Sequence, residues 1–465
     1  MKRFKAKIGI HIPSRKDDIA KLKTVDYLTP EYVYIPLSVK GNDFDIYVNP
    51  GDKVKLGQKI AERKKDKGLP IVKHATVSGE VVGQERVLHS SGVPYVCIKI
   101  KNDFQDTFID LNPVEDFESC ENEKLVSLIH EAGIIGLGGA GFPTELKYQN
   151  IKNIDTVILN GAECEPYITS DYRIMIEDTE SVFNGLRILM KIANAEKGII
   201  VIKKGKEEIY ELLVSHAKKH ENIKVFQVPD EYPAGWEKQV VYRTLKRTYE
   251  NLPLECGVIV NNVSTACAVA HAIMEGKPLL ERIVTVAGEA IVRPRNYRVR
   301  IGTLAKELIE QSDGYAPELE EVRVIAGGPM MGMTQKSDDF VISETNSAII
   351  VLNGIREYQV PHNKPIGEVI LDVLHLSEHD NRFFIHDEQP CVRCGTCVFH
   401  CPAGLQPTLL RQASLAKNEV LLGKLDVTKC IDCGTCAYVC PSHIKINEAI
   451  KKGKAYYNIK NKNKK

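Results

Sequence analysis

The chain has 465 residues, 43% of them apolar, and its 62 lysines and arginines against 61 aspartates and glutamates leave a formal net charge of +1. That length predicts two to four domains with real cores. The charge balance excludes nucleic acid or an anionic membrane as the main partner, and no apolar run approaches the roughly 18 residues that cross a bilayer. The basic opening MKRFKAKIGIHIPSRK lacks the apolar stretch of a signal peptide. The expected location is therefore cytoplasmic, at most peripheral on the cytoplasmic face of the cell membrane and attached there only through partner subunits.

Residues 1–115 are expected to form an N-terminal β domain. Between 30 and 100, short apolar runs such as YVYIPLSV, DIYVNPGDKV and VPYVCIKI are broken by Pro-Gly and Ser-Gly turns. The order NPGDKVKLGQKIA, then HATVSGEVVG, resembles the biotinyl or lipoyl carrier sandwich. His74 to Val77 stands at the hairpin tip where those carriers present a lysine, so the resemblance extends to the scaffold alone. His74 is read as a turn residue rather than a ligand.

Residues 116–280 alternate helices and strands. The pattern predicts helix 123–132, strand 155–160, helix 173–194, strand 198–203, helix 205–220, strand 223–228, helix 236–248, strand 257–262 and helix 264–275. Such alternation means a mainly parallel sheet covered on both faces, with ligands at the carboxyl ends of its strands. Two loops there are chemically loaded: NGAECEP after strand 155–160 and NNVST after strand 257–262. Residues 281–355 return to strands with one helix near 303–312, a compact β-grasp module. Residues 361–390 lead into a cluster domain over 356–450, in which LQPTLLRQASLAKN is helical. The basic tail, 451–465, is read as solvated and frayed.

The cluster domain is defined by its cysteines. Cys391, Cys394, Cys397 and Cys401 precede Pro402, and Cys430, Cys433, Cys436 and Cys440 precede Pro441. Both runs read C-x2-C-x2-C-x3-C-P, the spacing that holds cubane [4Fe-4S] clusters, with the fourth cysteine of each run ligating the other cluster. The expected ligand sets are Cys391, Cys394, Cys397 and Cys440 for one cluster, and Cys430, Cys433, Cys436 and Cys401 for the second. A zinc site closes with four ligands and has no use for the third and fourth cysteines repeated in both runs. The remaining cysteines, Cys97, Cys120, Cys164, Cys256 and Cys267, are scattered singly, which fits reduced thiols better than a disulfide framework.

The second constellation is GLGGAGFPTELK, residues 136–147. Gly136, Gly138 and Gly141 satisfy G-x-G-x-x-G, and a helix is expected after Pro143. Glycines there let backbone N–H groups approach a phosphate. The loop follows a helix rather than a first strand, so the pattern by itself fits nucleotide binding and a tight structural loop equally.

The loop resembles the flavin-binding loop of the NADH-oxidising flavoprotein subunit of respiratory complex I, G-x-G-G-A-G-F-P-T-x-x-K. NGAECEP and VNNVST match that family's N-A-D-E-x-E-P and V-N-N-V-E-T segments in the same order. The resemblance implies FMN contacts at Gly136, Gly138, Gly139, Gly141, Lys147, Asn160, Asn261, Asn262 and Thr265. It implies that Glu163 and Glu165 face the nicotinamide of NAD(H) as the catalytic carboxylates; the alternative reading is a capped turn at a strand end. From end to end the chain resembles the RnfC family, a component of the Rnf electron-transport complex, through GGPMMG at 327–332, IPL at 35–37, GAECEPYITSDYRIM at 161–175, YPAGWEKQ at 232–239 and ERIVTVAGE at 281–289. That family implies a multidomain α/β chain: an N-terminal β barrel-sandwich hybrid, a Rossmann-like flavin domain with a mainly parallel sheet, a β-grasp (SLBB) domain and a C-terminal two-cluster helical ferredoxin domain.

Several positions depart from the two families' patterns. GIHIP stands at residues 9–13 where G-G-x-H-P-P is usual, and Trp236, the only tryptophan, replaces a glycine. Leu137, Ala162 and Ser264 replace an arginine, an aspartate and a glutamate of the complex I pattern. Three functions follow from the resemblance and its departures. The first is a flavo-iron-sulfur subunit passing electrons between NAD(H), FMN, two [4Fe-4S] clusters and a ferredoxin-type carrier, alongside other subunits of an ion-translocating membrane complex. The second is a soluble paralogue that reduces a corrinoid protein or serves an amino-acid reductase. The third is a structural subunit with a vestigial flavin site.

Overall fold

The computed structural model describes residues 9–354, apart from 318 and 320, and residues 388–462. The predicted lead-in at 361–390 and the boundary near residue 355 fall largely outside these residues.

The N-terminal β domain is two sheets closed on one core. One runs Phe340–Val341, Gly79–His89, Pro94–Asn102, Tyr32–Ser38, with Lys53–Val54 on its flank; the other is Asp45–Ile46, Lys59–Arg63, Ile71–His74. Alternate apolar residues such as Val33, Ile35, Ile98 and Ile100 point inward and meet Ile60 and Val77, as the two-residue period of a strand requires. His74 ends a strand and is buried rather than lying in a turn, and burial lowers its pKa to about 4. It is a neutral core imidazole.

The second unit carries a parallel sheet in the order Ile223–Val228, Lys197–Lys203, Thr156–Gly161, Val258–Asn262. Its strands read TVILNG, GIIVI and VIVNN, nearly continuous apolar runs, because helices cover both faces. The predicted helix 173–194 is two helices, Ser170–Glu177 and Thr179–Ala193, broken at Asp178 (φ −136°, ψ 44°). Apolar periodicity continues through the break, so the sequence pattern hides it. At Gly185 an added Cβ would fall on the Ala266 carbonyl, and its absence lets helix Thr179–Ala193 lie directly on helix Val263–Met274. After Pro143 there is one 3-10 turn, Thr144–Lys147, instead of the expected α-helix.

A six-stranded mixed sheet with helix Ala305–Gln311 follows, and two of its features are long-range. Val25–Tyr27 supplies its edge strand, parallel to Tyr297–Val299. Phe340–Val341, from within the third unit's sequence, instead pairs with Leu88–His89 of the first.

The cysteine-rich unit repeats itself. Arg393 and Asp432 each take φ +56°, the glycines that follow each run's second cysteine, Gly395 and Gly434, take +77° and +74°, and short helices Thr396–Phe399 and Thr435–Tyr438 follow. The left-handed backbone explains the glycines. The expected frayed tail is a helix, Ile446–Lys462, packed on Pro407–Leu415; at Gly453 a Cβ would collide with Ser414 Oγ. Its inward stripe includes the buried Ile450, and Lys454 Nζ donates to the Cys430 carbonyl (2.6 Å).

Candidate flavin and cluster site

Strand order places the site. From Thr156–Gly161 the chain steps outward through Lys197–Lys203 to Ile223–Val228, then returns to the other side with Val258–Asn262. Strands Thr156–Gly161 and Val258–Asn262 therefore flank the switch point, where α/β sheets open a crevice. Asn160 and Asn262 are register partners at its lip.

The glycine loop lies against this lip. Gly136 N–H bonds the Phe142 carbonyl (2.8 Å), and Leu137 N–H donates to the Thr265 hydroxyl (2.9 Å). A Cβ on Gly138 would approach Asn262 Nδ2 to 2.5 Å, whereas Gly139 faces open space. Gly141 has φ +67°. Lys147 Nζ donates to the Val260 carbonyl (2.8 Å); burial lowers its pKa, opposed by Glu237. Asn160 Nδ2 donates to the Gly235 carbonyl (2.8 Å), which brings the 232–239 segment into the site. Asn261 Nδ2 donates to the Tyr148 hydroxyl (2.5 Å), but its buried Oδ1 has no partner among the described residues.

These features fit a flavin mononucleotide. An orphaned buried acceptor, an exposed loop with room at Gly139 and a partly desolvated ammonium without a carboxylate partner among the described residues suit a ring, a ribityl chain and a phosphate.

Asn262 is fixed from two sides. Its Oδ1 caps helix Val263–Met274 by accepting from Ser264 N–H (2.8 Å), and its Nδ2 donates to Asp171 Oδ2 (2.7 Å). Ser264 Oγ donates to Asp171 Oδ1 (2.5 Å). A carboxylate thus stands at Ser264 after all, supplied by the neighbouring helix. Asp171 lies inside the GAECEPYITSDYRIM segment, but only the fold shows that it reaches Ser264.

Both candidate catalytic carboxylates have internal partners. Glu163 Oε1 accepts from Asp171 N–H (2.7 Å) at the start of helix Ser170–Glu177, and Oε2 faces Lys16 Nζ at 3.7 Å. Glu165 accepts from Met330 N–H (3.0 Å) and Met331 N–H (2.9 Å) of the GGPMMG segment. Burial pushes Glu165 up from 4.5 to about 7 against those two hydrogen bonds. The folded state then holds the proton more tightly than the unfolded chain, so stability falls as pH rises from about 4.5 through about 7, by about 3 kcal/mol. Glu165→Gln is expected to make that stretch of the curve shallower, the remaining slope belonging to Glu163, which burial also raises to about 7. Thermal unfolding of both proteins across this pH range, under anaerobic conditions, checks it, and parallel curves count against it.

The same GGPMMG segment reaches the second cysteine run. Tyr232 hydroxyl donates to the Cys433 carbonyl (2.6 Å), a Cβ on Gly434 would press the Met330 carbonyl at 2.7 Å, and Tyr232 exchanges backbone hydrogen bonds with Ile10. Ile10, Ile12, Tyr232, Met330, Cys433, Tyr438 and Val439 form one apolar cluster. The GIHIP opening is thus part of the seam between the flavin unit and one cluster loop.

Burial raises the pKa of Cys397 and of Cys436, and neighbouring thiols add to it: Cys440 and Cys394 at Cys397, and Cys433, Cys430, Cys401 and Cys397 at Cys436. The fold thus sets the fourth cysteine of each run beside the other run. Cys391 and Cys394 are exposed, whereas Cys433 and Cys401 are buried. Eight such thiols, gathered in twin loops, suit two cubane clusters and exceed what zinc needs.

Family models match four stretches in order: an RnfC barrel sandwich hybrid domain at 4–105, a Nuo51 FMN-binding domain at 129–271, an SLBB domain at 283–334 and a 4Fe-4S dicluster domain at 390–445. The chain is 34% identical over 414 residues to the RnfC subunit of the Na(+)-translocating ferredoxin:NAD(+) oxidoreductase complex of Acetobacterium woodii, covering 87% of this chain and 86% of that one. It is 34% identical over 408 residues to the corresponding subunit of the proton-translocating ferredoxin:NAD(+) oxidoreductase complex of Clostridium ljungdahlii, covering 86% and 82%. Against the corresponding subunit of the ion-translocating oxidoreductase complex of Pectobacterium carotovorum it is 33% identical over 411 residues, 86% of this chain but 51% of that one. With a flavin cradle at a switch point and twin ferredoxin loops, one of them on the seam with the flavin unit, the chain is a flavo-iron-sulfur electron-transfer subunit of the oxidoreductase class. It belongs to the RnfC family of Rnf-type ion-translocating oxidoreductase complexes. No described helix is long and apolar enough to cross a membrane.

Proposed function

We propose that this chain exchanges electrons between NAD(H) and a ferredoxin-level carrier, as the subunit of a membrane complex that meets pyridine nucleotide on the cytoplasmic face. The observation that carries this reading is the shared seam: the crevice lip at Asn160 and the Cys433 loop are linked through Gly235, Tyr232 and Met330. A bound FMN supplies the two-electron to one-electron conversion that a hydride donor and single-electron clusters require.

The chain's own residues do the rest. Lys147 and the N–H groups of Gly138 and Gly139 would hold the phosphate, and Asn160, Asn261, Asn262 and Thr265 would position the ring and ribityl chain. Asp171 keeps Asn262 from rotating, through the 2.7 Å bond to its Nδ2. Glu165 holds GGPMMG against the flavin unit, and Met330 and Tyr232 hold the Cys433 loop against that. Cys430, Cys433, Cys436 and Cys401 would carry the cluster at the seam; Cys391, Cys394, Cys397 and Cys440 would carry the outer one, where exposed Cys391 and Cys394 face an external carrier. The buried apolar Leu137 and Ala162 leave the dinucleotide fewer charges to contact.

Anaerobic titration of the holoprotein with NADH is expected to bleach the flavin band near ~450 nm and then raise reduced-cluster EPR signals. Reduction by dithionite without any reduction by NADH would overturn the NAD(H) assignment while leaving the cluster assignment standing.

A further inference from the structure

We propose a third metal site, for a zinc-like divalent cation, built from Asp178, Cys267 and His271. Helix Val263–Met274 places Cys267 and His271 four residues apart, hence on one face. The break at Asp178 between helices Ser170–Glu177 and Thr179–Ala193 turns a carboxylate onto that same face. Cys267 Sγ lies 3.1 Å from Asp178 Oδ2 and 4.0 Å from His271 Nε2, and His271 Nε2 lies 2.9 Å from Asp178 Oδ2.

The three ligand atoms thus converge as one face of a tetrahedron. Zinc with bonds of about 2.0–2.3 Å to oxygen, nitrogen and sulfur needs edges of roughly 3.3–3.8 Å, so shifts of a few tenths of an ångström complete the geometry. Glu275, one turn beyond His271, brings Oε1 to 3.7 Å from Nε2 and stands ready as the fourth ligand, with water as the other choice. Cys267 is buried, and Asp178 and His271 are partly exposed. They line a cleft walled by Ile174, Leu279 and Ile283, through which an ion has access.

Charges around the cleft are mixed: Glu177 and Glu281 oppose Lys277, Arg282 and Arg298. Selection therefore rests on the ligand atoms, and one thiolate, one imidazole and one carboxylate favour zinc over calcium or magnesium. On binding, the thiol proton leaves to solvent and the imidazole proton moves to Nδ1. No oxidation state changes.

The ligand atoms face away from Thr265, and the cleft reaches the edge of the flavin loop at Leu137 and Ser264. Thr265 and Cys267 are two residues apart, about 200° around the helix, so they face opposite sides. Zinc would pin the helix that begins at Asn262 to the junction at Asp178.

The test loads anaerobically purified holoprotein with Zn²⁺, removes excess by desalting, and measures zinc, iron and FMN content with zinc K-edge X-ray absorption. The expected result is about one zinc per chain with a single sulfur at about 2.3 Å and the remaining ligands nitrogen or oxygen. Cys267→Ser and His271→Ala should each lose that zinc while keeping iron and FMN. Three results would overturn the proposal: no retained zinc, an all-sulfur shell marking zinc in the cluster cysteines, or equal uptake by both variants. The spectrum of the unmutated protein decides the matter even if a variant fails to fold.

Discussion

Cys401→Ala is expected to disconnect the outer cluster from NADH. Cys401 is buried beside the Cys430–Cys436 run, and that run alone is hydrogen-bonded to the flavin unit, through Tyr232 and the Cys433 carbonyl, among the described residues. In this variant NADH should still bleach the flavin, while the remaining cluster is reduced by dithionite but not by NADH. Cys440→Ala should do the opposite: its loss removes the outer cluster, and NADH still reduces the inner one. EPR of both variants during anaerobic titration reads the two outcomes directly. NADH reduction of the remaining cluster in Cys401→Ala at the unmutated rate would reverse the assigned order.

The second large effect is expected at Gly138. An alanine there would set its Cβ 2.5–2.7 Å from the Asn262 side chain. Asn262 cannot simply yield, because it caps helix Val263–Met274 and is bound to Asp171. Overpacking costs about 1–3 kcal/mol and loss of an N-cap about 1 kcal/mol. If about 3 kcal/mol of this falls on the flavin-competent conformation, FMN affinity drops by about two orders of magnitude. Gly139→Ala, whose Cβ would meet no protein atom, should leave the apoprotein as stable as the unmutated chain, whereas Gly138→Ala lowers its stability. Fluorescence titration with FMN reads the affinity of Gly138→Ala, thermal unfolding of the two apoproteins compares them, and equal destabilisation would remove the steric explanation.

Local chemistry was legible in the chain, and long-range partnership was not. Two complete cysteine runs mark the clusters because spacing alone decides which sulfurs converge, and alternating periodicity marks the parallel sheet. The break at Asp178 escaped because apolar residues keep their helical phase on both sides. The carboxylate on Ser264 escaped because Asp171 lies 93 positions away. Glu163 and Glu165 illustrate a subtler limit. A pair of acids in a loaded loop invites a catalytic reading, while the N–H partners of Glu165, Met330 and Met331, come from an element that only the fold brings against it. The helical end of the chain escaped because high charge hides a narrow buried stripe, and Gly453 reads as a breaker until Ser414 is seen against it.

The strand exchange between the first and third units also governs how the chain is made. Val25–Tyr27 waits for Tyr297–Val299, and Leu88–His89 waits for Phe340–Val341. At about 5–20 residues per second of synthesis, those partners leave the ribosome on the order of tens of seconds later. During that interval the nascent chain carries unpaired strand edges, an opening for wrong pairing with neighbouring chains. A chain cut short before the third unit would leave the β domain with the Leu88–His89 edge uncovered.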